Sequence, residues 1–232
     1  MISVERLSKF FAGRAVFEDV DLVVPDGETV VILGPSGIGK SVLLRVMAGL
    51  LPADAGRVTY DGVPLRHGAF ADNQPILARL GYVFQGGALF DSLSVFDNIA
   101  LPLRENGVRD EAAVRERVRA VLARTGMETC ERMMPSELSG GMVRLVAIGR
   151  ALTADPKWVF YDEPTTGLDP LMRVRILDLI TDLRDVEGRT GVVVTHDLEA
   201  AERVANRIYM LRDRRLFELA GARKEHYEME CP

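Results

Sequence analysis

The stretch Gly34-Pro35-Ser36-Gly37-Ile38-Gly39-Lys40-Ser41 has the phosphate-loop spacing G-x-x-x-x-G-K-[ST]. A triphosphate packs several negative charges together, so its site needs donors at close range. The glycines let backbone N–H groups turn inward, and the start of the following helix adds positive partial charge. Lys40 is expected to reach the β- and γ-phosphates, and Ser41 to place its hydroxyl on Mg²⁺. Much later in the chain, Leu138-Ser139-Gly140-Gly141 forms a second small-residue loop that opens a helix. Its backbone suits a phosphate as well. Both loops in one chain imply a nucleotide gripped from two sides.

Trp158-Val159-Phe160-Tyr161 is an apolar strand that runs into Asp162 and Glu163. At a strand's C-terminal edge beside a phosphate loop, Asp162 suits Mg²⁺, held through water. Glu163 then faces the attacking water and polarises it or takes its proton. His196 ends another apolar strand and is placed to sense the γ-phosphate. Gln85 follows Gly81-Tyr82-Val83-Phe84 and is placed to reach Mg²⁺ or the attacking water. Taken singly, an Asp-Glu pair opens many helices, a lone histidine is usually structural and a glutamine usually faces solvent. Their occurrence together behind a phosphate loop gives them weight.

The elements that must position these groups alternate in type. Residues 2–24 read as strands, Pro25-Asp26-Gly27 as a turn, and Thr29–Leu33 as a β-branched strand entering the phosphate loop. A helix follows from about Gly39 to Leu50, then a hairpin-like stretch from Arg57 to Leu65. Residues 87–150 read as a helical insert. Within it, Asp110 caps a helix that Gly126 stops, and a second helix runs from Met142 to about Thr153. The strand–helix pattern then resumes: strand 158–161, helix from Pro170 to about Val186 with Asp169 as its cap, strand 191–195, helix 197–206. Such alternation implies a mainly parallel sheet covered on both faces.

Composition sets bounds. The chain has 232 residues, is 47% hydrophobic and carries a formal net charge of −5, which argues against a general nucleic-acid binder. Cys130 and Cys231 are isolated and suggest no disulfide or metal framework. The N-terminus lacks the apolar core of a signal peptide, and no apolar run approaches the roughly 18 residues of a membrane helix. Action at a membrane would therefore need another chain to span it. The polar tail 221–232 reads as loosely ordered. The Arg-rich faces around Arg115–Arg119 and Arg212–Arg215, with Glu105, Asp110 and Glu111, read as solvated surface.

Phosphate loop, Gln85, Leu138-Ser139-Gly140-Gly141, Asp162-Glu163, Gly167-Leu168-Asp169 and His196 occur in an order and spacing that resemble the ATP-binding cassette (ABC) ATPases. The resemblance covers nearly the whole chain. It implies an α/β fold: a P-loop, RecA-like parallel sheet flanked by helices, an N-terminal antiparallel β subdomain and an inserted helical subdomain. Residues 1–86 and 151–232 would form the core, and 87–150 the helical part carrying the signature. Gly34, Pro35, Ser36, Gly37, Ile38, Gly39, Lys40, Ser41 and Val42 would bind ATP, with Mg²⁺ on Ser41, Gln85 and Asp162. Phe11 stands where the family stacks an aromatic on adenine, and the neighbouring Phe10 is an alternative ring. Ser139, Gly140 and Gly141 would bind the γ-phosphate held by a partner subunit, and Asp169 would touch that partner. The implied unit is a head-to-tail homodimer closing on two ATP, with Glu163, His196 and Gln85 in catalysis.

Met142 replaces the glutamine usual after the signature. Together with Met134–Glu137 and the segment 86–103, it resembles the ATPases of Mla/Mce-type lipid transporters. Leu145 departs from the basic residue expected after Arg144. This subfamily resemblance implies integral membrane permease subunits, a lipid-binding (Mce-type) partner and a peripheral place on the cytoplasmic face of the inner membrane. Leu89, Phe90, Leu93, Val95 and Phe96 either pack the helical lobe or form a groove for a permease helix. Alternatives are a signalling cassette that regulates cell-wall hydrolysis, a cassette for amino acids or lipoproteins, and a soluble cassette of DNA repair or translation. The last usually has two cassettes or a long coiled-coil insertion.

Overall fold

The computed structural model describes residues 1–68 and 71–219. The tail 221–232, with Cys231, lies outside the described residues. Strands β1 (Ile2–Phe11) and β2 (Arg14–Val24) form a hairpin whose two-residue turn, Ala12-Gly13, has positive φ at both positions (48° and 75°). That turn's twist matches the twist of the paired strands. Strand β3 (Thr29–Leu33) leads into helix α1 (Lys40–Met47), followed by β4 (Ala55–Tyr60) and β5 (Val63–Pro64). Then come α2 (Gln74–Leu77), β6 (Leu80–Val83), α3 (Val95–Glu105), α4 (Glu111–Thr125) and α5 (Gly140–Leu152). The chain continues with β7 (Trp158–Asp162), α6 (Pro170–Asp185), β8 (Thr190–Thr195), α7 (Leu198–Val204), β9 (Arg207–Arg212) and β10 (Arg215–Leu219).

Two sheets result. The antiparallel one has the order β2-β1-β4-β5, and the larger has the order β10-β9-β3-β8-β7-β6. In the larger sheet β9, β3, β8, β7 and β6 run parallel, and β10 returns antiparallel at the edge. Every residue of β3, β7 and β8 is buried. Continuous apolar runs of this kind belong to parallel strands covered on both faces. Side chains alternate between two cores. Val31, Leu33, Val159, Tyr161 and Val193 pack with α3–α7, whereas Val30, Ile32, Trp158, Phe160, Val192 and Val194 pack with α1 and the antiparallel sheet.

Sequence expectation and structure differ at element ends and in the hairpin β9–β10. Helix α1 stops at Met47, because Gly49 turns left-handed (φ 74°). Helix α5 starts at Gly140 rather than Met142, because Ser139 accepts the N–H of Met142 and caps it. Helix α7 is shorter than expected, ending at Val204. The β9–β10 turn uses Asp213 and Arg214 with φ of 50° and 64°, so it carries no glycine signal. Arg212, Arg214 and Arg215 at its tip are exposed, as expected of a solvated face. Helix α3 absorbs part of the apolar stretch after Gln85: Val95 is fully buried, whereas Phe90 is 53% exposed.

Candidate ATP site

Parallel pairing brings the functional loops to one edge. Leu33 is opposite Thr195, Asp162 opposite Val194, and Val83 opposite Tyr161. The phosphate loop, Gln85, Asp162-Glu163 and His196 therefore all leave the C-terminal ends of neighbouring strands, where open α/β sheets place ligands.

Backbone geometry explains the loop glycines. Gly37 and Gly39 have φ of 80° and 115°, which favours glycine. A Cβ on Gly39 would lie 2.5 Å from Val16 Cγ1, and one on Gly34 would lie 2.9 Å from the Leu211 carbonyl oxygen. Pro35, Ser36 and Gly37 are exposed, whereas Ile38 and Val42 pack partly against the core between the two sheets. Lys40 is buried. Its ammonium donates to the carbonyls of Gly34 (2.7 Å) and Pro35 (3.0 Å) and lies 3.3 Å from Glu163 Oε1.

Asp162 is fully buried and accepts hydrogen bonds from Ser41 Oγ (2.6 Å) and Tyr82 OH (3.3 Å). Arg45 lies 3.7 Å away. Burial, reinforced by the Asp162 charge, raises the Tyr82 phenol and keeps it a donor. Two hard oxygen donors thus sit side by side. Mg²⁺ usually takes one or two carboxylates plus substrate phosphates, and Ser41 with Asp162 fits that demand. No group of three His, Cys, Asp or Glu suited to a metal occurs among the described residues, so a protein-only metal cage does not compete. Gln85 is exposed just beyond β6.

Glu163 is the centre of the charged cluster. Its backbone is left-handed (φ 48°), a conformation that costs about 1–3 kcal/mol in a non-glycine residue. A hydrogen bond from its N–H to the Val194 carbonyl (3.0 Å) helps hold it. Its side chain is 7% exposed. Oε2 accepts from Thr166 Oγ1 (2.9 Å) and lies 2.9 Å from His196 Nδ1. Burial alone would raise this carboxyl, but hydrogen bonds from His196 and Thr166 and the charge of Lys40 outweigh it and hold it below its ordinary range. Sequence reading placed Glu163 and His196 at the site but did not foresee that they touch. It missed Thr166 altogether, although a hydroxyl three residues beyond a strand-end carboxylate is a usable signal.

The second loop sits on α5. Ser139 and Gly140 are exposed, and Gly141 is buried against α6, where a Cβ would lie 2.3 Å from Met172 Cγ. Asp169 caps α6 by accepting the N–H of Met172 (3.0 Å). Phe10 and Phe11, at the β1 tip, are 39% and 49% exposed, and the Lys9 ammonium lies 5.3 Å from the centre of the Phe11 ring.

Residues 17–166 match the ABC transporter family. This chain is an ABC transporter ATPase. It is 37% identical over 93% of its length to the intermembrane phospholipid transport system ATP-binding protein MlaF of Haemophilus influenzae, covering 82% of that protein. It is 39% identical to the probable ribonucleotide transport ATP-binding protein mkl of Mycobacterium tuberculosis, over 90% of this chain and 58% of that relative. Among solved structures, a dimeric bacterial ABC transporter cassette superposes with a TM-score of 0.87 at 31% identity, over 95% of this chain and all of the other. A post-hydrolysis cassette dimer bound to ADP and Pi gives a TM-score of 0.86 at the same identity, again over 95% of this chain and all of the other. The expected α/β cassette fold and ATPase activity are thereby established.

Proposed function

We propose that this ATPase works as a homodimer that closes on two ATP and drives an integral membrane permease carrying phospholipid between envelope membranes. The observation that carries the hydrolytic part is the buried Glu163 carboxylate, 3.3 Å from Lys40 and 2.9 Å from His196, at the strand ends that also present Ser41 and Asp162. In this reading the phosphate loop and Lys40 hold the β- and γ-phosphates. Ser41, Asp162 and Gln85 hold Mg²⁺, which when bound offsets phosphate charge. Glu163 takes a proton from the water that attacks the γ-phosphorus, while the bond to the β–γ bridging oxygen breaks and ADP leaves. His196 holds Glu163 in place and reaches toward the γ-phosphate. Either Phe10 or Phe11 covers the adenine.

The homodimer draws support from Gly140. A Cβ there would meet nothing within 4 Å among the described residues, and its φ is not left-handed. Neither packing among the described residues nor backbone conformation requires a glycine, whereas a phosphate approaching bare backbone from a partner subunit does. Ser139 and Gly141 flank that approach, and Asp169 faces the same partner. No helix among the described residues is long and apolar enough to cross a membrane. The proposed place is peripheral, on the cytoplasmic face of the inner membrane. Residues 87–150 act as the helical subdomain, with 1–86 and 151–232 as the core.

The cargo is taken from the MlaF relatives, and a lipid-binding (Mce-type) partner goes with it. The relative named for ribonucleotide transport offers a second cargo class. Purification of the chain with its native membrane partners, followed by mass spectrometry of bound small molecules, separates the two. Phospholipid at stoichiometric level is the expected result. Reproducible absence of lipid, with ATPase activity stimulated by ribonucleotide instead, would remove the phospholipid reading.

A further inference from the structure

The segment after Gln85 has an unusual backbone. Gly86, Gly87 and Ala88 all have positive φ, at 89°, 83° and 48°. Ala88 carries a Cβ in a region that disfavours one. Such a run needs an outside restraint. The restraint is a side chain from α5. Arg150 is 9% exposed, and its guanidinium donates to the Ala88 carbonyl (2.7 Å) and to the Gly87 carbonyl (2.8 Å). Van der Waals contact with the same helix adds to it: a Cβ on Gly87 would lie 2.7 Å from Val143 Cγ1, also on α5. One turn of the segment is closed by the Gly87 N–H donating to the Phe84 carbonyl (2.9 Å). Gln85 lies inside that turn. Its backbone is thus clamped between β6 and three residues of the helix that Ser139 caps, the third being Arg144, whose guanidinium lies 3.5 Å from the Phe84 carbonyl oxygen.

The geometry points to Arg150 as a positioning residue for Gln85. The inference rests on Gln85 belonging to the ATP site. A planar fork satisfies two successive carbonyls at once, which a lysine ammonium at the same place does less well. Removal of the fork frees a strained loop to relax, and Gln85 leaves its strand-end position. ATP binding through the phosphate loop stays intact, because Arg150 contacts none of residues 34–42 by hydrogen bond. The loss therefore falls on turnover and on Mg²⁺ use.

The test is a double-mutant cycle on the full chain, read by phosphate release with Mg²⁺ and ATP titrated separately. Arg150→Met is expected to lower kcat about tenfold and raise the half-activating Mg²⁺ concentration about fivefold, with the KM for ATP within about twofold. Arg150→Lys restores part of that loss. In a Gln85→Ala background the same Arg150→Met change shifts kcat by less than about twofold, because the group it positions is gone. Equal losses in both backgrounds would overturn the inference while leaving Gln85 in the ATP site. An unchanged kcat in Gln85→Ala alone would overturn the Gln85 assignment together with it. Should Arg150→Met fail to fold, Gly87→Ala decides by the same cycle. It pushes the loop off α5, because its Cβ meets Val143 Cγ1 at 2.7 Å and the Val143 carbonyl oxygen at 3.3 Å, and it strains a φ of 83°. Additive losses there overturn the inference, and coupled losses support it.

Discussion

Glu163→Gln separates catalysis from structure at one atom pair. The glutamine keeps the size of the side chain and one acceptor oxygen but has no charge and accepts no proton from water. General-base catalysis contributes about 10²–10⁴ in rate, which is about 3–5 kcal/mol of barrier. The structural loss is smaller. Three donors face the carboxylate: Lys40 at 3.3 Å, Thr166 at 2.9 Å and His196 at 2.9 Å. Lys40 loses this counter-charge but keeps the Gly34 and Pro35 carbonyls, so its N–H groups stay hydrogen-bonded. The His196 side chain is 45% exposed, and solvent screens its share. Replacing charge-assisted bonds by neutral ones then costs about 1–2 kcal/mol, a fall in Tm of about 2–8 °C for a chain of this size. Phosphate release should drop at least about a hundredfold while the variant still binds ATP. Turnover within about threefold of the parent would remove Glu163 from the chemistry. Loss of ATP binding with a Tm fall beyond about 10 °C would show that the residue matters to the fold instead.

The same carboxyl predicts a pH dependence. Its folded-state pKa lies below its ordinary value of 4.5, so its contribution to stability is present above that value and lost as pH falls through the folded pKa. The difference in Tm between parent and Glu163→Gln should shrink as pH falls below about 4.5; a gap that widens below that pH would contradict the assignment. Lys40→Ala removes a buried ammonium beside the phosphate loop and should weaken ATP binding by about a hundredfold or more in a fluorescent-nucleotide titration. Ser139→Arg should leave ATP binding by the monomer within about threefold and abolish ATP-dependent dimerisation in light scattering. Dimerisation at the parent's level would refute the two-sided site.

Legibility in the sequence followed locality. The phosphate loop was readable because strand, glycines, Lys40 and Ser41 are consecutive. Asp110 with Gly126 and Asp169 with Pro170 announced their helices, since caps act within a few residues. Helix α3 and the β9–β10 hairpin were not read. Ser94 does cap α3, but Pro102 interrupts its pattern, and the hairpin turn Asp213-Arg214 is built from charged residues that usually mark plain surface. Phe10 and Phe11 both proved exposed, so neither spacing nor burial selects between them.

By itself the sequence determined which chemical groups the chain owns and in what order: two phosphate-sized loops, Asp162, Glu163, His196 and Gln85. Tertiary structure alone decided which of them touch. Parallel pairing of β3 with β8 and of β7 with both β8 and β6 joins segments far apart along the chain. No local propensity encodes such a choice, because it depends on which strands share a buried face. That choice sets Lys40 and His196 around a single carboxylate and lays the Gln85 loop on Arg150. The groups are a property of the chain, and the site is a property of the sheet.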